Sequence, residues 1–240
     1  MDFSRFRAMT FDCYGTLIAW EDGIFSALRP ILTAHGKTLP DRELLQLYGE
    51  LEAEAESGTF RLYREVLASV VKGFGERLGF MPTQLEIQSL AASVPEWQPF
   101  ADTVRALQKL QTRFKLSIVS NIDDDLFSAT AKKLGTRFDH VITAQQARAY
   151  KPSLRNFQVA LDRIGLPAGQ ILHVGQSVYH DVLPAQSLGM GTVWVKRPSP
   201  RKGIGAVKAA AGKPDLEVED LASLAAAAVG AYGGRELPSP

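Results

Sequence analysis

The sequence predicts a doubly wound α/β fold with a helical insert after its first strand. Three observations predict it. Five short apolar runs are spread along the chain, each rich in Val, Ile, Leu or Phe and without polar alternation. That is the pattern of parallel strands covered on both faces. Helical periodicity fills the gaps between most of these runs. The gap after the first run is much longer than the others and holds no convincing strand.

The elements follow in order. The first strand spans residues 9–12 with its lead-in. Residues 22–92 then repeat apolar positions at helical spacing: Phe25, Leu28 and Ile31; Leu44, Leu47 and Leu51; Leu62, Val66 and Val70. Breaks fall at Gly36, Pro40, Gly58, residues 73–79 and Pro82. This block reads as a small helical cap over the carboxyl edge of the sheet, where open α/β sheets bind ligands. The expected division is a core of residues 1–16 and 97–240 with a cap of residues 17–96. A helix over 102–110 places Val104, Leu107 and Leu110 on one stripe. Strands over 116–120, 141–144, 171–175 and 192–196 alternate with helices over 126–134 and 157–164. Residues 198–205 form a basic loop with Pro and Gly. Residues 221–231 form an Ala-rich helix, and 233–240 read as a frayed tail.

Composition excludes several classes of function. The chain has 240 residues with 27 Lys+Arg against 26 Asp+Glu, a net charge of +1. Nucleic-acid binders usually show a basic excess. Apolar residues make up 45% and charged residues 22%, which excludes bulk disorder. The N-terminus carries Asp2, Arg5 and Arg7 with no apolar run of leader length, and no stretch approaches the ~20 apolar residues that span a bilayer. The single cysteine, Cys13, cannot form an internal disulfide. A cytoplasmic, reducing setting is expected, with no nucleic-acid or membrane partner. Whether the chain forms a homodimer is left open.

The chemistry-bearing residues all fall at strand ends. The first strand ends Phe11-Asp12-Cys13-Tyr14-Gly15-Thr16, a carboxylate followed at once by a glycine turn. The second ends Ser120-Asn121, the third is followed by Lys151-Pro152, and the fourth runs into Gly175-Gln176-Ser177 with Asp181 beyond. Each has a bland reading: Asp12 and Ser120 as caps, Lys151 as a loop cation, Asp181 as a first-turn charge. Their convergence on one sheet edge favours a site.

The order DxxxT, SN, KP and GxSxxxD resembles the four motifs of the haloacid dehalogenase superfamily, over nearly the whole chain. The resemblance implies a Rossmann-like core, an inserted helical cap, a nucleophilic Asp12 and a charge-neutralising Lys151. Most members are phosphatases or mutases with a second Asp two residues after the nucleophile; here Tyr14 stands there. Their fourth motif also has a Mg²⁺-holding Asp where this chain has Gln176. The segment DCYGTL is similar to the 2-haloacid dehalogenase branch. Chemistry agrees with that branch. An alkoxide leaving group benefits from a proton donor, whereas a departing halide is so weak a base that it needs none.

The resemblance therefore implies a metal-independent hydrolase without a cofactor, acting on a small anionic substrate. Asp12 displaces halide from carbon 2 of a short haloacid, and water hydrolyses the resulting ester. Asp181 orients Lys151 and is a candidate to activate water. Ser120 and Asn121 bind the carboxylate or halide side, and Tyr14 shapes the pocket. Ser177 stands where the branch has an Asn. Arg42 is the nearest candidate for the cap arginine that holds halide, with Arg61 and Arg64 as alternatives. The rival readings are a Mg²⁺-dependent phosphatase and a non-catalytic, ligand-binding member. Among the remaining residues, His173 reads as a core histidine, His180 as a surface one, Cys13 as packing and Tyr63 as core. Trp20 and Phe60 stay open between pocket and bundle.

Overall fold

The computed structural model describes residues 1–201 and 205–230. Its centre is one six-stranded, wholly parallel sheet in the order β3-β2-β1-β4-β5-β6. The strands are β1 (Ala8–Phe11), β2 (Lys115–Ser120), β3 (His140–Thr143), β4 (Ile171–Gly175), β5 (Gly191–Val195) and β6 (Leu216–Val218). All four residues of β1 and all five of β4 are buried, as expected for strands covered on both faces. From β1 the chain winds outward through β2 to β3, then returns to β4 on the other side of β1 and continues outward. That reversal makes a crevice beyond the carboxyl ends of β1 and β4.

The block inserted after β1 holds four helices: α1 (Trp20–Ala34), α2 (Asp41–Glu56), α3 (Tyr63–Leu78) and α4 (Gln84–Ser93). The segments leading in and out of this block run side by side. Ala19 donates to the Gln98 carbonyl and Phe100 donates to that of Leu17, with Ile18 and Pro99 bridged antiparallel. The helices after the block are α5 (Thr103–Leu110), α6 (Asp124–Leu134), α7 (Ala144–Ala147), α8 (Leu154–Ile164), α9 (Leu183–Ser187) and α10 (Leu221–Gly230).

The break expected over residues 73–79 falls only at Gly79, which ends α3 in the left-handed region at φ 72°. Gly73 lies inside that helix, because a Cβ there would come within 2.5 Å of the Leu51 side chain on α2. Its role is close helix packing. The short edge strand β6 was not expected, since its three residues carry little periodic signal. The strand expected at 192–196 sits one residue earlier, and α6 and α8 begin two to three residues before their apolar stripes. The expected tail at 233–240 lies outside the described residues, as does part of the 198–205 loop. Among the described residues, no helix is long and apolar enough to cross a membrane.

Candidate active site

Asp12 is the first residue after β1, and its backbone N–H still bonds the Val174 carbonyl of β4. The chain turns at once at Gly15, whose φ is 91°. The next turn brings Thr16 back beneath the carboxylate, where its hydroxyl donates to Asp12 Oδ2 at 2.7 Å and accepts the Gln176 N–H at 2.9 Å. Arg197, buried beside β5, holds the same turn by donating to the Thr16 carbonyl at 3.0 Å while paired with Asp102 at 2.7 Å. The aspartate's direction is thus fixed from two neighbouring strands.

Lys151, 2% exposed, places its ammonium between two carboxylates. It donates to Asp12 Oδ1 at 2.8 Å, to Asp181 Oδ1 at 2.7 Å and to the Val119 carbonyl at 2.9 Å. Those contacts use all three of its N–H donors. Asn121 clamps the lysine's backbone, accepting its N–H at 2.7 Å and donating to its carbonyl at 3.2 Å. Asp181 follows β4 on a π-helical turn, Val178–Val182, in which Val182 N–H reaches back to the Ser177 carbonyl. The π turn sets the Asp181 carboxylate against Lys151. His173 supports it from below, with Nε2 3.3 Å from Asp181 Oδ1 and Nδ1 2.8 Å from the Thr10 hydroxyl. It is a satisfied core histidine, as expected.

Burial raises the Asp12 carboxyl above its usual range, and Lys151 draws it only part of the way back. Asp181 is also pushed up by burial, but Lys151 and His173 more than offset this and hold it well below its usual range. Burial lowers Lys151, yet the two aspartates leave it raised to about 12. The lysine therefore stays charged. Both carboxylates line the cavity.

The cavity is lined by Asp12, Tyr14, Ser120, Asn121, Lys151, Ser177 and Asp181, and has a volume of about 40 Å³. Ser120 Oγ is buried with no hydrogen-bond partner, a group left free for a ligand. Tyr14 is tied through its hydroxyl to Thr130 at 2.8 Å, and Ser177 Oγ accepts the His180 N–H. One expected site residue is not brought in. Arg42 is exposed at the start of α2, away from the cavity. Neither alternative replaces it: Arg61 bonds Ala55 and Ser69, and Arg64 pairs with Asp123 and Asp125. His180, expected at the surface, is instead half-buried in the cavity wall, where burial lowers it to about 4. Trp20 lines the cavity, whereas Phe60 stacks on Tyr150 outside it. Tyr63 is core and cavity wall at once.

Sequence reasoning missed Glu52 and Glu56 of α2, which also line the cavity. The available signal was a carboxylate on the apolar stripe of that helix, one turn beyond Tyr48. Glu52 is buried and accepts from the hydroxyls of Tyr48 at 2.9 Å and Tyr63 at 2.6 Å. Among the described residues, no three His, Cys, Asp or Glu side chains group as a metal site. Residue 176 is an amide, and both aspartates give an oxygen to Lys151. This donor set does not fit Mg²⁺, which takes several hard oxygen ligands.

The model of the haloacid dehalogenase-like hydrolase family matches residues 6–189. This chain belongs to that family. Among relatives of the hydrolase, an (S)-2-haloacid dehalogenase of Pseudomonas fluorescens is 23% identical over 91% of this chain and 94% of that protein. A glyceraldehyde 3-phosphate phosphatase of Methanocaldococcus jannaschii is 35% identical over 40% of this chain and 43% of its own length. Several relatives match this hydrolase over only 40% to 44% of their length. Among solved structures, the L-2-haloacid dehalogenase of Xanthobacter autotrophicus superposes with a TM-score of 0.78 at 21% identity, covering 96% of this chain and all of that one.

Proposed function

We propose that this hydrolase is a 2-haloacid dehalogenase with Asp12 as nucleophile, Lys151 as counter-charge and Asp181 as the group that orients Lys151. The observation that carries the reading is the three-way contact of Lys151 with Asp12 and Asp181 in a cavity that lacks both a carboxylic acid at position 14 and one at position 176. Full-length similarity to haloacid dehalogenases supports it.

Asp12 Oδ attacks carbon 2 of the substrate. The new C–O bond forms as the carbon–halogen bond breaks and its electron pair leaves with halide. Water then adds to the Asp12 carbonyl carbon, and the 2-hydroxy acid departs with its oxygen supplied by Asp12. Burial makes Asp12 more basic and so a stronger nucleophile. Lys151 offsets the charge of Asp12 and of the substrate. Asp181 Oδ1 accepts from Lys151 Nζ at 2.7 Å, which supports the orienting role. Ser120 Oγ is the free donor for the substrate carboxylate. Residues 17–96 act as the cap: α2 and α3 supply Glu52, Glu56 and Tyr63 as the outer wall.

A phosphatase acting on a small phosphorylated metabolite is the second reading, favoured by the shorter match to a phosphatase. Halide release from (S)-2-chloropropionate and phosphate release from p-nitrophenyl phosphate, each with EDTA or with Mg²⁺, test the two together. Halide release untouched by EDTA is expected. Phosphate release switched on by Mg²⁺, with no halide released, overturns the proposal.

A further inference from the structure

Two carboxyl groups on the cavity wall are an unexpected lining for a plain haloacid. Glu52 and Glu56 stand one turn apart on α2 and both reach the cavity. Lys151 is the only lysine or arginine lining it among the described residues, and its donors are already used by Asp12, Asp181 and the Val119 carbonyl. The cavity thus gathers four carboxyl groups around one committed ammonium. Glu52 Oε1 is fixed by Tyr48 and Tyr63. The Glu56 side chain forms no hydrogen bond with any described residue; its neighbours in charge are Glu52 and Lys151.

Two further features point to a ligand. The Ser120 hydroxyl is 1% exposed and unpartnered on the core side of the same cavity. Trp20, packed edge-on to Tyr48 at 5.8 Å, presents an aromatic surface to it, and aromatic faces attract cations. Carboxylates that share one cavity are costly when all are charged, and the arrangement is relieved if the ligand brings a positive charge.

We propose that Glu52 and Glu56 form a subsite for a protonated amine, so that the preferred substrate is an ammonium-bearing 2-haloacid. Its carboxylate lies toward Ser120 and Lys151, its carbon 2 over Asp12 and its ammonium against α2. The inference rests on the dehalogenase reading for the reaction and adds the substrate class. Burial raises both glutamates, Glu52 to about 7 and Glu56 well above the usual range. An incoming ammonium favours their ionised forms.

The test compares (S)-4-amino-2-chlorobutanoate with (S)-2-chloropentanoate, which differ by an ammonium in place of a methyl group. Wild-type kcat/KM is expected to favour the amino compound by about tenfold or more, carried mainly by a lower KM. Glu56→Gln should bring that ratio toward one by raising KM for the amino compound. Because the Glu56 side chain has no hydrogen-bond partner among the described residues, this variant avoids the disruption that Glu52→Gln risks in the tyrosine network. Glu56→Lys should reverse the preference. A wild type that prefers the uncharged compound, or a ratio unchanged in Glu56→Gln, overturns the subsite and leaves the dehalogenase reading standing. Halide released from neither compound overturns the subsite, and halide released from neither these nor (S)-2-chloropropionate overturns the dehalogenase reading as well.

Discussion

Lys151 Nζ lies 2.8 Å from Asp12 Oδ1 across 139 residues of sequence, in a site where the lysine is 2% exposed. Such a contact is costly unless the ammonium is fully bonded. Asp181 and the Val119 carbonyl complete it. The three-way arrangement sets one ammonium against both carboxylates.

Lys151→Ala should therefore lower kcat by about two to three orders of magnitude, the scale lost with a preorganised charge. Two carboxylates and the substrate would then meet without a counter-charge. Lys151→Arg should recover little, since a planar fork does not fit a position built for a point charge. Steady-state halide release measures both. Near-normal rates in Lys151→Ala would show that the lysine only serves the fold.

Thr16→Val removes the hydroxyl that donates to Asp12 Oδ2 and leaves the buried Gln176 N–H without its acceptor. A fall in kcat of about tenfold is expected, with a stability loss of about 1–3 kcal/mol by urea unfolding. A loss of stability with kcat intact would limit Thr16 to a structural role.

Asp123 ties the inserted helices to the core. Its carboxylate accepts the backbone N–H groups of Tyr63 and Arg64 at the start of α3, at 2.7 and 3.0 Å. It caps that helix from another element, where leading N–H groups lack partners within the helix. Asp123→Ala should cost about 2 kcal/mol or more in urea unfolding. It should also raise KM, because Tyr63 forms part of the cavity wall. An unchanged unfolding midpoint would contradict this.

Glu52 gives a pH signature. Burial is the main cause that raises it to about 7, against hydrogen bonds from Tyr63 and Tyr48. Between its ordinary value of 4.5 and about 7, the folded chain holds a proton that the unfolded chain has lost. Stability contributed by this group is thus present below 4.5 and lost as pH rises to about 7. Glu52→Gln should flatten the decline in stability across that window, an effect on the order of a few kcal/mol. Equal slopes in wild type and variant would show that Glu52 is not raised.

EDTA should leave halide release unchanged, since a departing halide needs no metal and the donor set around Asp12 does not suit Mg²⁺. Direct displacement should invert carbon 2, so that (S)-2-chloropropionate gives (R)-lactate. Chiral chromatography of the product decides this, and retained configuration would rule out a single displacement.

The strand ends at Asp12 and Ser120, and those that lead on to Lys151 and Asp181, were legible because buried parallel strands read as continuous apolar runs and their ends stand out. The helical insert was legible from its period. The path of α3 through Gly73 was not, since a glycine that admits a neighbouring helix looks in sequence like one that ends a helix. The placement of Arg42 away from the cavity, and of Glu52 and Glu56 along it, was hidden for a related reason. Which face of α2 meets the site depends on how the insert packs on the sheet, and the period of one helix does not specify that. His180 was misplaced because a π turn rotates the residues after Ser177 relative to an ordinary helical turn.

The covalent step is tested most directly by a single turnover in ¹⁸O-water, with enzyme in excess over (S)-2-chloropropionate and mass analysis of the peptide that contains Asp12. Attack of water on the aspartyl ester places one ¹⁸O in the Asp12 carboxylate and leaves the first-turnover lactate unlabelled at its hydroxyl. Label in the lactate hydroxyl with none in Asp12 would mean that water attacks carbon 2 directly, and would contradict the account.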